Sequence, residues 1–194
     1  VDNLRDLPHP PRMPPAKPPR KRFTKRTILA LLVLLAVLAG LLWDGSPLGS
    51  FALRQALRLK FQGVRQVAPA ELVAWMADPN RPPPMLIDAR PPEQFAVSRI
   101  DGSVEIDPTA PDLHPLNHIS KDQPLVVYDA AGAQGTAMVI ALTNEGFTRV
   151  SNLEGGIFRW ANEGHPLVSD AGPATKVYPL TWAWGRLLKS RYHP

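Results

Sequence analysis

The chain has 194 residues, no cysteine, 23 prolines and a formal net charge of +5, with a sequence pI near 9.8. That length allows one ordinary domain with attachments. Without cysteine there is no disulfide framework, no thiolate zinc or iron–sulfur site and no cysteine nucleophile.

The basic charge is unevenly spread. Residues 1–26 carry eight Lys/Arg against two acidic residues, 27–43 carry no charge, and 44–65 carry four basic residues against one acidic. Residues 66–170 carry six basic and fourteen acidic residues, a net −8, and 171–194 return to +4. A protein that binds nucleic acid needs its positive charge on the folded surface. Here the segment long enough to fold is acidic, so a nucleic-acid partner is not expected.

In chain order, 1–26 is a basic, proline-rich tail. Seven prolines fall within 8–22 (PHPPRMPPAKPPRKR), with almost no residue able to enter a core. Such a stretch favours solvated polyproline II. It either sets topology and touches anionic lipid head groups, or straps onto a partner, with Arg20, Lys21 and Arg22 as candidate partner-binding residues.

Residues 27–44 are expected to form one transmembrane helix. Ile28 to Trp43 reads ILALLVLLAVLAGLLW, without a charged or strongly polar group. At 1.5 Å per residue it reaches about 24 Å, slightly short of a roughly 30 Å hydrocarbon core. Lys25 and Arg26 can snorkel to one interface and Trp43 suits the other. Pro47 ends the helix. Two readings compete: a buried soluble helix, which would need a large protein around it, and a signal peptide, since Val37-Leu38-Ala39 resembles a cleavage site. The excess of Lys/Arg before the helix predicts a cytoplasmic N-terminus and an exported domain, periplasmic or luminal.

Residues 45–65 form a basic juxtamembrane segment. Within it, 50–62 (SFALRQALRLKFQ) fits two templates. As a helix, Leu53, Ala56, Leu57 and Phe61 share a face. As a strand, Phe51, Leu53, Leu57, Leu59 and Phe61 alternate with small or basic residues. An interfacial helix with its basic side at the head groups is expected; a linker helix packed on the domain is the alternative.

From about residue 66 strands and helices alternate. The pattern predicts helices over 69–76, 92–97, 135–145 and 157–162, and strands at 85–87, 104–106, 125–128 and 149–150. Leu125-Val126-Val127-Tyr128 is the strongest strand, and Gly146 stops the helix before it. Such alternation implies an α/β domain with a parallel sheet over 66–170. The stretch 171–194 is an aromatic and basic C-terminal tail, with Trp182 and Trp184 as further candidate partner-binding residues, unless it packs back on its own domain. Asp107, Asp112, His114 and His118 form an apparent ligand cluster, but Pro108, Pro111 and Pro115 argue against a regular helix there; a solvated connector and no metal are expected.

Over about 65–168 the chain resembles rhodanese-like (sulfurtransferase-type) domains. Leu86-Ile87-Asp88-Ala89-Arg90 resembles the family's strand followed by Asp-x-Arg, with Glu93 and Phe95 at its acidic and aromatic positions. Arg99-Ile100-Asp101-Gly102-Ser103 is similar to its His-Ile-x-Gly-Ala/Ser segment, with arginine for histidine. Asn152-Leu153-Glu154-Gly155-Gly156-Ile157, followed by Trp160, is the most distinctive match. The resemblance implies a five-stranded parallel sheet flanked by helices, with Asp88, Arg90, Glu93, Gly102, Glu154, Gly155, Gly156 and Trp160 as structural motif residues. It also implies an active-site loop after Tyr128. The family's enzymes carry there a cysteine that takes sulfur as a persulfide, in a loop patterned Cys-x-x-Gly-x-Arg-Ser. This chain reads Asp129-Ala130-Ala131-Gly132-Ala133-Gln134-Gly135: aspartate stands at the nucleophile position and Gln134 at the arginine position. A carboxylate cannot carry persulfide sulfur, and at the base of a nest of backbone N–H groups it would fill the nest from within.

These readings converge on a non-catalytic, membrane-anchored rhodanese-like protein that needs no cofactor. It would be an accessory, docking or stabilising subunit of a larger membrane-protein complex, respiratory and photosynthetic complexes among them, with integral membrane proteins and anionic lipid as partners. The alternatives are a sulfurtransferase-type enzyme, or a small-anion or metal sensor using the degenerate pocket.

Overall fold

Leu125, Val126, Val127 and Tyr128 are all fully buried. A run apolar at every position suits a central parallel strand covered on both faces. Alternate residues serve opposite faces. Val126 and Tyr128 join one core cluster, with Leu86 of the neighbouring strand. Leu125 and Val127 join the other, with Ile87. Burying each aliphatic side chain contributes about 1.5–3 kcal/mol.

The computed structural model describes residues 63–194. The elements are β1 (Gln66–Val67), α1 (Pro69–Ala77), β2 (Met85–Asp88), α2 (Pro92–Val97), β3 (Ser103–Glu105), a 3-10 turn (His114–Leu116), β4 (Leu125–Tyr128), α3 (Gln134–Asn144), β5 (Val150–Leu153), α4 (Gly156–Asn162), β6 (Leu167–Ser169), β7 (Gly172–Ala174), α5 (Trp182–Gly185) and a 3-10 turn (Ser190–Tyr192). Strands β1 to β5 form one sheet in the order β1-β5-β4-β2-β3, with every pairing parallel. The expected five-stranded parallel α/β architecture is the one observed.

Leu72 and Trp75 of α1 and Ile157, Phe158 and Trp160 of α4 fill one side of the sheet. Met138, Val139 and Leu142 of α3 fill the other. Proline opens α1 and α2, where a missing N–H costs nothing. Helix α3 ends at Gly146, whose N–H bonds Thr143 O at 3.0 Å while Phe147 N–H bonds Leu142 O at 3.1 Å, and the buried Phe147 then packs beneath the helix.

The stretch after residue 170 is built into the domain. A β6–β7 hairpin joins the segment before β3 through reciprocal Arg99–Val168 backbone bonds of 2.8 and 2.9 Å. Val177 and Leu188 are fully buried in the α1/α4 core, with Trp184, Leu187 and Tyr192 packed against it. Asn162, at the end of α4, clamps this segment: its amide donates to Leu187 O at 2.6 Å and accepts from Lys189 N–H at 2.8 Å. The aromatic and basic C-terminal stretch is therefore part of the fold, because Val177 and Leu188 supply apolar surface that the core would otherwise lack.

The expected tail, transmembrane helix and juxtamembrane segment, with Arg20, Lys21, Arg22, Lys25, Arg26 and Trp43, lie outside the described residues. Among the described residues no helix is long and apolar enough to cross a membrane.

Candidate functional site

In a parallel sheet, loops after the strands gather at one end, where ligand sites form. Here β2 delivers Asp88 and, two residues on, Arg90; β4 delivers Asp129; β5 runs into Glu154, Gly155 and Gly156.

Asp88 and Arg90 make a buried two-pronged ion pair. Arg90 Nε donates to Asp88 Oδ1 at 2.7 Å and Nη2 to Oδ2 at 2.5 Å, with Nη2 also reaching Ser98 O at 2.7 Å. Neither side chain is more than 1% exposed. Burial opposes the guanidinium charge, but Asp88 outweighs it and holds Arg90 above its ordinary pKa. Arg90 therefore staples α2, through Ser98, to the end of β2. It lies 5.8 Å from the centre of the Tyr128 ring. The Tyr128 hydroxyl accepts from Ile100 N–H at 3.1 Å and lies 2.9 Å from Ser103 Oγ. That contact anchors the 99–103 segment, in which Gly102 forms the exposed turn. Burial, and then the Asp88 charge, raises the Tyr128 pKa far beyond physiological pH, so the phenol stays neutral.

The loop 129–135 is closed by its own first side chain. Asp129 is 3% exposed. Its Oδ1 accepts the Gly132 N–H, and its Oδ2 accepts the Gln134 N–H at 2.6 Å. Ala130, Ala131, Gly132 and Gly135 are also buried, Ala133 is half-buried and the Gln134 side chain faces solvent. Burial raises the Asp129 pKa above its ordinary 3.8, against the lowering effect of these N–H donors.

The loop's outer wall is α4. Ile157 N–H bonds Asp129 O at 2.9 Å and Phe158 N–H bonds Ala130 O at 3.0 Å. Gly156, at φ +56°, permits this approach: a Cβ there would stand 2.3 Å from Asp129 O. Asn152 closes the other side, its amide donating to Gly132 O at 3.2 Å and Gln66 Oε1 at 2.9 Å. Glu154 pairs with Arg159 at 3.0 Å, beside Gly155. Trp160 is buried, its indole N–H bonding Pro166 O at 2.8 Å. Glu93 is exposed on the first turn of α2.

Acidic groups gather at the end of β3. Glu105 pairs in register with Asp88, and its pKa is raised by burial and then by Asp107, Asp88 and Glu93.

A model of the family described as Rhodanese-like domain matches residues 68–163. A protein of Allochromatium vinosum named sulfurtransferase is 32% identical over 88 residues, covering 45% of this chain and 81% of its own. The chain belongs to the rhodanese-like family. Thiosulfate sulfurtransferase GlpE of Ectopseudomonas mendocina is 32% identical over 77 residues, 39% of this chain and 69% of that one. The uncharacterized protein YibN of Escherichia coli K12 is 32% identical over 91 residues, 46% of this chain and 64% of that one. A rhodanese-related protein from Thermoplasma volcanium, solved by crystallography, shares 26% identity and a TM-score of 0.46 over 54% of this chain and 97% of its own.

Within this rhodanese-like domain the motif residues divide. Asp88, Arg90, Asp129, Gly132, Gly156 and Asn152 converge on the ends of β2, β4 and β5. Glu93, Gly102 and Gln134 present their side chains or turns to solvent. Trp184 packs against its own domain rather than standing free. Asp107 and Asp112 each cap a turn, accepting Thr109 N–H at 2.8 Å and His114 N–H at 2.9 Å. Among the described residues no group of three or more His, Asp or Glu is placed to hold a metal. The Tyr128 hydroxyl, Ser98 and Ser103 join the site without a motif of their own; a tyrosine ending an otherwise aliphatic strand is the one local signal, and it marks the first.

Proposed function

We propose that this protein is a non-catalytic rhodanese-like protein, anchored by one membrane helix and serving as an accessory or docking subunit of a membrane-protein complex. The observation that carries the non-catalytic reading is the carboxylate of Asp129 on the N–H groups of Gly132 and Gln134. In this arrangement the loop's donors are engaged by a group of the chain itself. The same group is charged when ionised and has no sulfur to exchange. Two like charges about 4 Å apart cost roughly 1 to 4 kcal/mol at dielectrics between water and a protein surface, so an anionic sulfur donor is disfavoured.

The anchoring and docking parts rest on the apolar run 28–43 and the basic proline-rich tail. In this reading the N-terminus is cytoplasmic and the domain periplasmic or luminal, with integral membrane proteins and anionic lipid as partners and no nucleic acid. Several modest contacts on one chain raise effective affinity.

Thiosulfate-to-cyanide sulfur transfer by the purified full chain tests the first part. The expected rate equals the uncatalysed background, while a sulfurtransferase relative assayed alongside gives turnover; cyanide-dependent turnover by this chain overturns the reading. Cysteine labelling tests the second. A cysteine at Thr109 should react from outside the cytoplasm and one at Ala16 should not. In mild detergent the chain should carry a stoichiometric companion; migration as a lone monomer defeats the subunit role.

A further inference from the structure

The end of the sheet opposite loop 129–135 carries a groove of about 600 Å³. It lies at the start of the strands: Arg65 precedes β1, Arg149 and Val150 open β5, and Thr143 closes α3. Its apolar lining includes Trp75, Val139, Ile140 and Val150. Ile140 is 44% exposed, unusual for a large aliphatic residue on a helix whose neighbours Val139 and Leu142 are buried. Volumes of this size suit a few inserted side chains.

Gly63 and Val64, where the described chain begins, also line the groove. The chain therefore enters the domain at the groove's rim. Phe61 is two residues earlier, so its Cα is within about 7 Å of that of Gly63. Gly63 has φ +96°, a backbone conformation that favours glycine. The segment before it has three large apolar residues at spacing four: Leu53, Leu57 and Phe61. They share a side in a helix, at i, i+4 and i+8, and also in a strand, where even separations fall on one face. Arg58 falls off that side in both geometries.

We infer that residues 50–62 of this chain occupy the groove, seating Leu53, Leu57 and Phe61 against Trp75, Ile140 and Val150 and leaving Arg58 outside. The segment is its own high-concentration ligand because the connection to the rim is two residues long. The groove is separate from loop 129–135, so the inference stands whether or not that loop turns over substrate.

The absence of cysteine makes the test direct, on the full-length chain in lipid or detergent. Leu57→Cys should react with a maleimide at least tenfold more slowly than Arg58→Cys. Adding Ile140→Glu, on an exposed position that the fold tolerates, should raise labelling at Leu57→Cys at least fivefold and leave Arg58→Cys unchanged. The pair Leu57→Cys with Ile140→Cys should oxidise to an intramolecular disulfide, which needs Cα atoms about 4.4–6.8 Å apart, and Arg58→Cys with Ile140→Cys should not. Equal labelling of the two single variants overturns the inference. So does protection that Ile140→Glu leaves intact, which assigns Leu57 to the bilayer. Disulfides formed only between molecules overturn it in favour of a second copy in the groove.

Discussion

The two ends of the sheet handle polar and apolar surface in opposite ways. At the ends of β2 and β4, buried charges are matched inside the domain: Arg90 to Asp88, and Asp129 to two loop N–H groups. At the start of β1 and β5 lies a groove with apolar walls, and the nearby ion pair, Arg65 with Glu71 at 3.7 Å, is largely solvated. The first end folds a loop around its own carboxylate; the second presents apolar walls. Buried pairs are costly to break and solvated ones are not, so the contrast can be measured.

The largest effect is expected at Arg90. Arg90→Met leaves Asp88 buried without its partner and should lower unfolding free energy by about 3–5 kcal/mol in chemical denaturation; a loss below about 1 kcal/mol would show that the pair does not hold this end. Gly156→Ala comes next. A left-handed backbone position and a Cβ driven against Asp129 O should together cost about 2–4 kcal/mol, read as a lowered Tm. Asp129→Ala orphans the buried Gly132 N–H and the part-buried Gln134 N–H and should cost about 1–3 kcal/mol, with sulfur-transfer rates staying at background.

The pH dependence separates Asp129 from a plain structural cap. Its folded pKa is raised above the unfolded 3.8 by burial. The folded state therefore holds the proton more tightly, and the associated stability is full below about pH 3.8. It declines as pH rises from there through the raised folded value. Asp129→Asn cannot ionise, so wild type should lose stability relative to it across that window; a difference that is flat with pH would show an unshifted carboxyl. The smallest effect belongs to the groove end: Glu71→Gln should change stability by less than about 0.5 kcal/mol and weaken further in salt.

How far these elements could be read from sequence follows from how local their causes are. Leu125–Tyr128 is legible because four apolar residues in a row leave one solution, and α2 is bounded at its start by proline. The Asp-x-Arg and Asn-Leu-Glu-Gly-Gly-Ile matches located the loop and its Asp129, since spacing survives even where the nucleophile does not. Strand β1 has only Gln66 and Val67, and its existence depends on β5 beside it. The β6–β7 hairpin contains Pro173 and has no long alternation. Val177 and Leu188 are isolated apolar residues without period, so nothing local marks them as core. The contacts of Tyr128 and Ser98 join segments distant in sequence, and such pairings are invisible to any window reading.

The burial of Val177 and Leu188 also sets an order of events during synthesis. Residues 66–170 carry the whole parallel sheet, yet the α1/α4 core lacks two of its fully buried side chains and the Asn162 clamp lacks its partners until the final stretch arrives. This domain therefore seals its core only after the segment through Lys189 has emerged and folded back onto α4.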